Sequence, residues 1–251
     1  MPPIPYPAQT VRLLLNRSEG SWTAVLSVLP LTAFDVFHGQ AGLLLGPEEN
    51  AYYQRLTHRR RQESFLLGRI AAKSAVAELA QLGDPSTVEI RRGVFEQPLV
   101  RGAGCEGCAI SISHDGTWAV GLAFHDAHPM AIDVENIDAE RIRTIASQLS
   151  ARELGWAAAT PDRDAISTLL WTAKEGLSKV LGCGLTAPML LLSLKEFEAV
   201  GPSLWRGLFE NFAQYQALGA VSGRTAFSLV LPRNSVLQNP EVLTGLFAAE
   251  A

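Results

Sequence analysis

The sequence has few cysteines, no excess of basic charge and no long apolar run. Lys and Arg number 21 against 25 Asp and Glu, and a net charge of −4 argues against a general nucleic-acid binder, which would normally be basic. No run of about 18 apolar residues is present, so no membrane-spanning helix is predicted. Residues 1–7 lack the basic and apolar segments of a signal peptide. We therefore expect a cytoplasmic protein.

The three cysteines predict neither a zinc site nor a redox motif. Cys105 and Cys108 form one C-x-x-C within a glycine-rich segment, and Cys183 stands alone. A structural zinc site would need two more ligands at suitable spacing, and a thioredoxin-like motif would open a helix after a strand. We expect reduced thiols without a catalytic role.

Hydrophobic residues make up 47% and charged residues 18% of the chain, as in an ordinary globular protein. Pro47 at a first helical position, followed by two glutamates, predicts a short helix. Two longer helices are predicted from periodicity, at 59–82 and 162–182. The remaining predicted elements are strands at 11–15, 22–29, 87–94, 109–113, 117–124, 129–135, 189–198, 212–220 and 225–232, and short helices at 139–148 and 150–159.

The predicted elements repeat in the two halves of the chain. Each half gives a long helix, then a strand, then a β-hairpin, which indicates an internal structural repeat. The sequence therefore predicts an α+β fold with an N-terminal lobe at 1–125 and a C-terminal lobe at 126–251. In each lobe a long helix is expected to pack on a mainly antiparallel sheet.

Three carboxylates in the second half form a candidate metal site. Asp133 and Glu135 are two apart on a predicted strand, so both side chains point to one face. Glu175 and Lys179 lie one turn apart on the long helix, on the same side as Trp171. Three oxygen ligands without Cys or His suit Mg²⁺ or Mn²⁺, which usually also bind water and substrate phosphates. Lys179 would add a positive charge for those phosphates.

The order of these motifs resembles the 4′-phosphopantetheinyl transferases, specifically the larger, monomeric, surfactin-synthetase-activating type. The residues that carry the resemblance are Ser113-His114, then 132–135 (Ile-Asp-Val-Glu), then 171–179 from Trp171 through Lys174-Glu175 to Lys179, with 65–69 and Gln97-Pro98 in related places. In that family two similar halves pack with pseudo-twofold symmetry and bind coenzyme A between them.

The resemblance implies Mg²⁺-dependent transfer of 4′-phosphopantetheine from coenzyme A to a serine of an acyl or peptidyl carrier protein, releasing 3′,5′-ADP. Asp133, Glu135 and Glu175 would hold the metal. Glu175 would also be the catalytic base, and Lys179 would stabilise the pyrophosphate. The expected contacts to coenzyme A come from Ser113, His114, Arg61, Arg69, Gln97, Lys174 and Lys179. A monomer would suffice, and neither nucleic acid nor membrane is an expected partner.

The chain departs from the family pattern at three places. Ala131 stands where the family often has Gly, and Gln97 stands where it often has Lys, so the charge at that place is lost. Asp115 either orients the His114 ring or simply forms the turn. Two other functions stay open: a Mg²⁺-dependent phosphoryl or diphosphate hydrolase, and a degenerate module that binds a carrier protein or a nucleotide.

Overall fold

The computed structural model describes residues 8–94 and 96–247. The contacts divide the chain into two compact units. The first comprises residues up to 15 together with 20–129, and the second comprises 16–19 and the residues from 130 onward. The lobe boundary at 125/126 stays a prediction.

In the first unit, antiparallel strands pack against one long helix. Strands β2, β6 and β5 are hydrogen-bonded neighbours in that order, and β1 flanks β2. A separate hairpin is formed by β3 and β4. The elements are β1 (Gln9–Arg17), β2 (Gly20–Pro30), α1 (Phe34–His38), α2 (Ala41–Leu44), α3 (Pro47–Tyr53), α4 (Arg59–Leu79), β3 (Glu89–Arg92), β4 (Pro98–Arg101), β5 (Cys108–His114) and β6 (Trp118–His125).

The second unit repeats this arrangement around another long helix. Its sheet has the strand order β7-β11-β10-β9-β8, with every pairing antiparallel. The elements are β7 (Ala131–Asn136), α5 (Ile142–Ser147), α6 (Ala151–Ala158), α7 (Arg163–Leu181), β8 (Leu194–Ala199), β9 (Leu204–Phe209), β10 (Tyr215–Ser222), β11 (Thr225–Pro232), β12 (Val236–Leu237) and α8 (Glu241–Gly245). The predicted α+β class is confirmed.

Each long helix covers its sheet with small and apolar side chains. On α4 the middle of the helix is buried continuously from Leu66 to Ala77. It approaches β6 so closely that a Cβ added at Gly121 would lie 2.4 Å from the backbone nitrogen of Ala72. The core of the second unit joins α7 residues such as Leu169 and Leu177 to the β10–β11 hairpin. These helices are therefore held by their sheets rather than by intrinsic propensity.

The helix ends follow the signals in the sequence. At the start of α6, Ser150 N–H donates to Glu153 Oε2 at 2.7 Å and Glu153 N–H donates to Ser150 Oγ at 3.3 Å, which is a capping box. Helix α7 ends at Gly182, whose φ of 65° is in the left-handed region that favours glycine. No described helix is long and apolar enough to cross a bilayer.

The three cysteines are free thiols, as the sequence predicts. Burial raises the pKa of both Cys105 and Cys108, which favours the protonated thiol.

Candidate active site

Strand β7 and helix α7 bring the predicted site residues of the second unit together. Lys179 Nζ donates to Asp133 Oδ1 at 2.8 Å and to the backbone oxygen of Ile132 at 3.1 Å, which ties the helix to the strand. Ile132 and Val134 are fully buried, while Asp133 and Glu135 alternate with them along the strand. We refer to Asp133, Glu135 and Glu175 as the carboxylate triplet.

Glu175 is half-buried and electrostatically coupled to the rest of the carboxylate triplet. Burial is the main reason that its pKa rises to about 7. The negative charges of Asp133 and, less strongly, Glu135 raise the pKa further, whereas Lys179 and Arg141 lower it. A carboxyl group with this pKa is close to half-ionised at neutral pH, so it can accept a proton there.

The strand carboxylates are engaged by cations of the same unit. Asp133 pairs with Lys179, and Glu135 pairs with Arg141 through both of its oxygens, with Arg141 Nη2 lying 3.1 Å from Oε1. Among residues 8–94 and 96–247, no group of three or more Asp, Glu, His or Cys side chains is arranged to hold a metal ion. Arg141 is not among the residues predicted from the sequence.

The chemistry of the carboxylate triplet fits a hard divalent cation. All three donors are oxygens, and after burial the charges of Asp133 and Glu135 contribute to the raised pKa of Glu175. A bound Mg²⁺ or Mn²⁺ would relieve the repulsion among these charges. Metal binding by Asp133, Glu135 and Glu175 stays a prediction.

Lys174, a predicted phosphate contact, lies inside the second unit. Its side chain has no exposed surface, and its Nζ lies 2.7 Å from Glu153 Oε2. The same Nζ donates to the backbone oxygen of Gln148 at 2.8 Å and to Ser193 Oγ at 3.3 Å. The ammonium group of Lys174 is thus enclosed within the second unit and paired with Glu153, and its predicted phosphate contact stays a prediction.

In the first unit, three predicted coenzyme A contacts line one cavity of about 450 Å³. These are Arg61, Arg69 and His114. Arg60, which was not predicted as a contact from the sequence, lines the same cavity. We call this space the arginine cavity; its wall also contains Tyr52, Leu56, Ser64, Phe65, Gly68 and Ile112. Three guanidinium groups and an exposed imidazole in one cavity are suited to a phosphorylated ligand.

Arg69 is held in the wall of the arginine cavity by aromatic and acidic neighbours. Its guanidinium carbon lies 4.8 Å from the Phe65 ring centre, and its Nε lies 3.4 Å from Glu49 Oε1. Burial lowers the pKa of Arg69 and the charge of Glu49 opposes that effect. Arg69 also lines a neighbouring cavity of about 350 Å³, whose other basic residues are Arg55, Arg91 and Arg92. Sequence spacing did not reveal this second basic group because its members come from three elements.

The remaining predicted contacts lie around the hairpins of the first unit. Ser113 is buried on β5, opposite Val120. Gln97 lies in the β3–β4 connection, where its backbone oxygen accepts from Gly93 N–H at 2.8 Å. The phosphate contacts proposed for both residues stay predictions.

Asp115 closes the turn between β5 and β6. Its Oδ1 accepts from the N–H groups of Thr117 and Trp118, each at 2.6 Å. Of the two roles considered for Asp115, the structure therefore shows the turn. This turn fixes the strand end that carries His114, which is exposed.

Comparison with known proteins gives a family match in the second half of the chain. The family model described as the 4′-phosphopantetheinyl transferase superfamily matches residues 129–224. One similar solved structure is a holo-(acyl-carrier-protein) synthase from Bacillus anthracis str. Ames in complex with CoA (3′,5′-ADP). It is 17% identical, covers 46% of this chain and 97% of its own, and has a TM-score of 0.36.

A second is the Helicobacter pylori holo-[acyl-carrier-protein] synthase in complex with coenzyme A. It is 16% identical, covers 40% of this chain and 96% of its own, and has a TM-score of 0.34. No curated protein matches the chain. The matched family region contains the carboxylate triplet and Lys179. The resemblance of this chain to the 4′-phosphopantetheinyl transferases is therefore confirmed at the level of the superfamily.

Proposed function

We propose that this protein is a cytoplasmic 4′-phosphopantetheinyl transferase of the surfactin-synthetase-activating type. It takes 4′-phosphopantetheine from coenzyme A, transfers it to a serine hydroxyl of an apo acyl or peptidyl carrier protein, and releases 3′,5′-ADP. The observation that carries the proposal is the superfamily match over 129–224, which includes Asp133, Glu135, Glu175 and Lys179. The chain acts as a monomer with two lobes, at 1–125 and 126–251.

Glu175 is assigned the proton transfer. Its pKa of about 7 allows it to accept the proton of the serine hydroxyl, directly or through a water molecule, at neutral pH. Its position on α7 differs from that of the other two carboxylates, which come from β7. We therefore assign the incoming nucleophile to Glu175, the one member of the carboxylate triplet that comes from the helix.

We assign the binding of the divalent cation to Asp133, Glu135 and Glu175. When bound, Mg²⁺ supplies positive charge that neutralises the pyrophosphate and activates it toward attack. Lys179, anchored by Asp133 and the Ile132 carbonyl, places a second positive charge beside the same group. Its ammonium group stabilises the negative charge that develops on the leaving phosphate.

We assign the binding of the coenzyme A phosphates to the arginine cavity of the first unit. Arg60, Arg61 and Arg69 provide fixed positive charge there, and His114 provides a ring nitrogen at the exposed end of β5. Coenzyme A carries a 3′-phosphate in addition to its pyrophosphate, so this many cations have anionic partners. Ser113 and Gln97 are assigned supporting hydrogen bonds.

The proposal is tested by mass spectrometry of a purified apo carrier protein incubated with this protein, coenzyme A and Mg²⁺. We expect a mass gain of one phosphopantetheine group, and no gain in a parallel sample with EDTA. Consumption of coenzyme A without a protein acceptor would instead indicate a hydrolase. Coenzyme A binding without modification of several carrier types would indicate a non-catalytic module.

A further inference from the structure

Arg141 contacts both carboxylate oxygens of Glu135, a proposed metal ligand. Its Nη1 contacts Glu135 Oε2, and its Nη2 lies 3.1 Å from Oε1. This fork leaves the carboxylate of Glu135 bound on both sides. The Glu135 side chain is 17% exposed and that of Arg141 is 49% exposed, so the guanidinium can move into solvent while the carboxylate stays in place.

The chain after β7 is folded so that Arg141 points back at the strand. Arg141 N–H donates to the backbone oxygen of Asp138 at 3.0 Å, which forms a turn just before α5. The beginning of this connection is fixed by Ile137, whose N–H donates to the Arg224 backbone oxygen at 2.7 Å and whose own oxygen accepts from the Arg224 side chain at 3.0 Å. Backbone hydrogen bonds in this turn therefore hold the segment that carries Arg141 next to Glu135.

The Arg141–Glu135 ion pair and a bound metal ion would compete for the carboxylate oxygens of Glu135. A carboxylate that ligates Mg²⁺ directs lone pairs to the metal, and those lone pairs now accept hydrogen bonds from Arg141. A guanidinium and a divalent cation on one carboxylate would also repel each other.

We propose that Arg141 is a placeholder cation, which neutralises Glu135 in the metal-free protein and is displaced when Mg²⁺ or Mn²⁺ binds. The inference rests on the metal site of the proposed function and adds a residue that opposes metal binding. Arg141 is a positioning residue in this scheme, because it acts through Glu135.

The test is the binding of Mn²⁺ alone, followed by electron paramagnetic resonance as the free ion disappears, to wild type, Arg141→Gln and Arg143→Gln. Arg143 is an exposed arginine two residues further along the same segment, so its substitution makes the same change in net charge. We expect Arg141→Gln to bind Mn²⁺ about two- to tenfold more tightly, from the typical strength of a partly exposed ion pair. Arg143→Gln should bind like wild type.

A double-substitution cycle shows whether the effect passes through Glu135. In a Glu135→Gln background, Arg141→Gln should leave Mn²⁺ affinity unchanged, since the competing pair is already absent. Tighter Mn²⁺ binding in both backgrounds would mean that Arg141 acts only as a distant charge. Equal or weaker Mn²⁺ binding by the single Arg141→Gln variant would show that Arg141 does not compete with the metal. Either result overturns the inference while the metal site stands. Absence of Mn²⁺ binding by wild type would overturn the inference and the metal site together.

Discussion

Lys174 Nζ lies 2.7 Å from Glu153 Oε2 in the second unit, and neither side chain has exposed surface. The first unit contains the same relationship: Lys73 Nζ lies 2.7 Å from Glu49 Oε2, also buried. In both units the lysine is on the long helix and the glutamate is the third residue of the preceding helix, where its carboxylate caps that helix. The internal repeat thus extends to single ion pairs that join two helices.

Removing one partner of the buried pair in the second unit should strongly destabilise the protein. We expect Lys174→Met to lower the free energy of unfolding by about 3–5 kcal/mol, because Glu153 is left charged and enclosed. Urea unfolding measures the change. The double variant Lys174→Met with Glu153→Gln should recover much of the loss. A fully stable Lys174→Met protein with weakened coenzyme A binding would instead return Lys174 to a phosphate-binding role.

Removing either of two metal-site carboxylates should abolish transfer while the fold is kept. We expect Asp133→Ala and Glu175→Ala to lose at least about 100-fold in kcat, since each removes a charge assigned to the metal and Glu175 also removes the base. Transfer to the apo carrier protein is followed by mass spectrometry, and circular dichroism checks the fold. Glu196→Ala, an exposed carboxylate on β8, is the matched control. Full activity of either site variant would refute the assignment.

Metal affinity and stability should both depend on pH through Glu175. Its pKa in the folded state, about 7, is above the ordinary value of 4.5, so the group stabilises the metal-free fold below pH 4.5 and this contribution is lost as pH rises through 7. We expect a loss of about 1–2 kcal/mol after allowance for solvent screening of a half-buried group. Conversely, Mn²⁺ affinity should rise from pH 6 to 8. Glu175→Gln should flatten the stability profile; an unchanged profile would contradict the raised pKa.

The arginine cavity should discriminate coenzyme A from its analogue without the 3′-phosphate. We expect Arg61→Ala to raise KM for coenzyme A about tenfold, by removing a charge-assisted hydrogen bond, and to leave KM for 3′-dephospho-coenzyme A nearly unchanged. Steady-state kinetics with both donors measures the difference. Arg59→Ala is the control, since Arg59 pairs with Asp35 and Glu63 at the surface. Equal increases for both donors would place Arg61 elsewhere on coenzyme A.

A methyl group at Gly121 should be poorly tolerated. The added Cβ would lie 2.4 Å from a backbone atom of α4, so we expect Gly121→Ala to cost about 1–3 kcal/mol of unfolding free energy. Gly155→Ala is an informative control, because that position in α6 is open and alanine favours helix by about 0.5–1 kcal/mol. Chemical denaturation of the two variants should therefore give opposite signs. Similar stabilities would mean that α4 shifts away from β6.

The sequence alone determined the long helices and the main hairpins, and it singled out the carboxylates of the candidate metal site. Periodicity over some 20 residues is a strong signal, so α4 and α7 were predicted to within three residues at each end. Short strands were harder: β4 and β9 were missed, and residues 189–192, predicted as strand, form a 3₁₀ helix before β8. The pairing of such short segments is decided by neighbouring strands and not by their own residues.

Only the tertiary structure decided which charges meet. Motif order singled out Lys174 with Glu175 and Lys179, yet one helix turn sends these side chains to different surroundings, and Lys174 meets Glu153 inside the unit. Nothing in local spacing indicates that Arg141 turns back onto Glu135 or that Arg60 joins Arg69 and His114 around one cavity. Residue types and hydrophobic periodicity can be read from the sequence. The burial of a side chain and the identity of its ion-pair partner depend on residues distant in the chain, which only folding brings together.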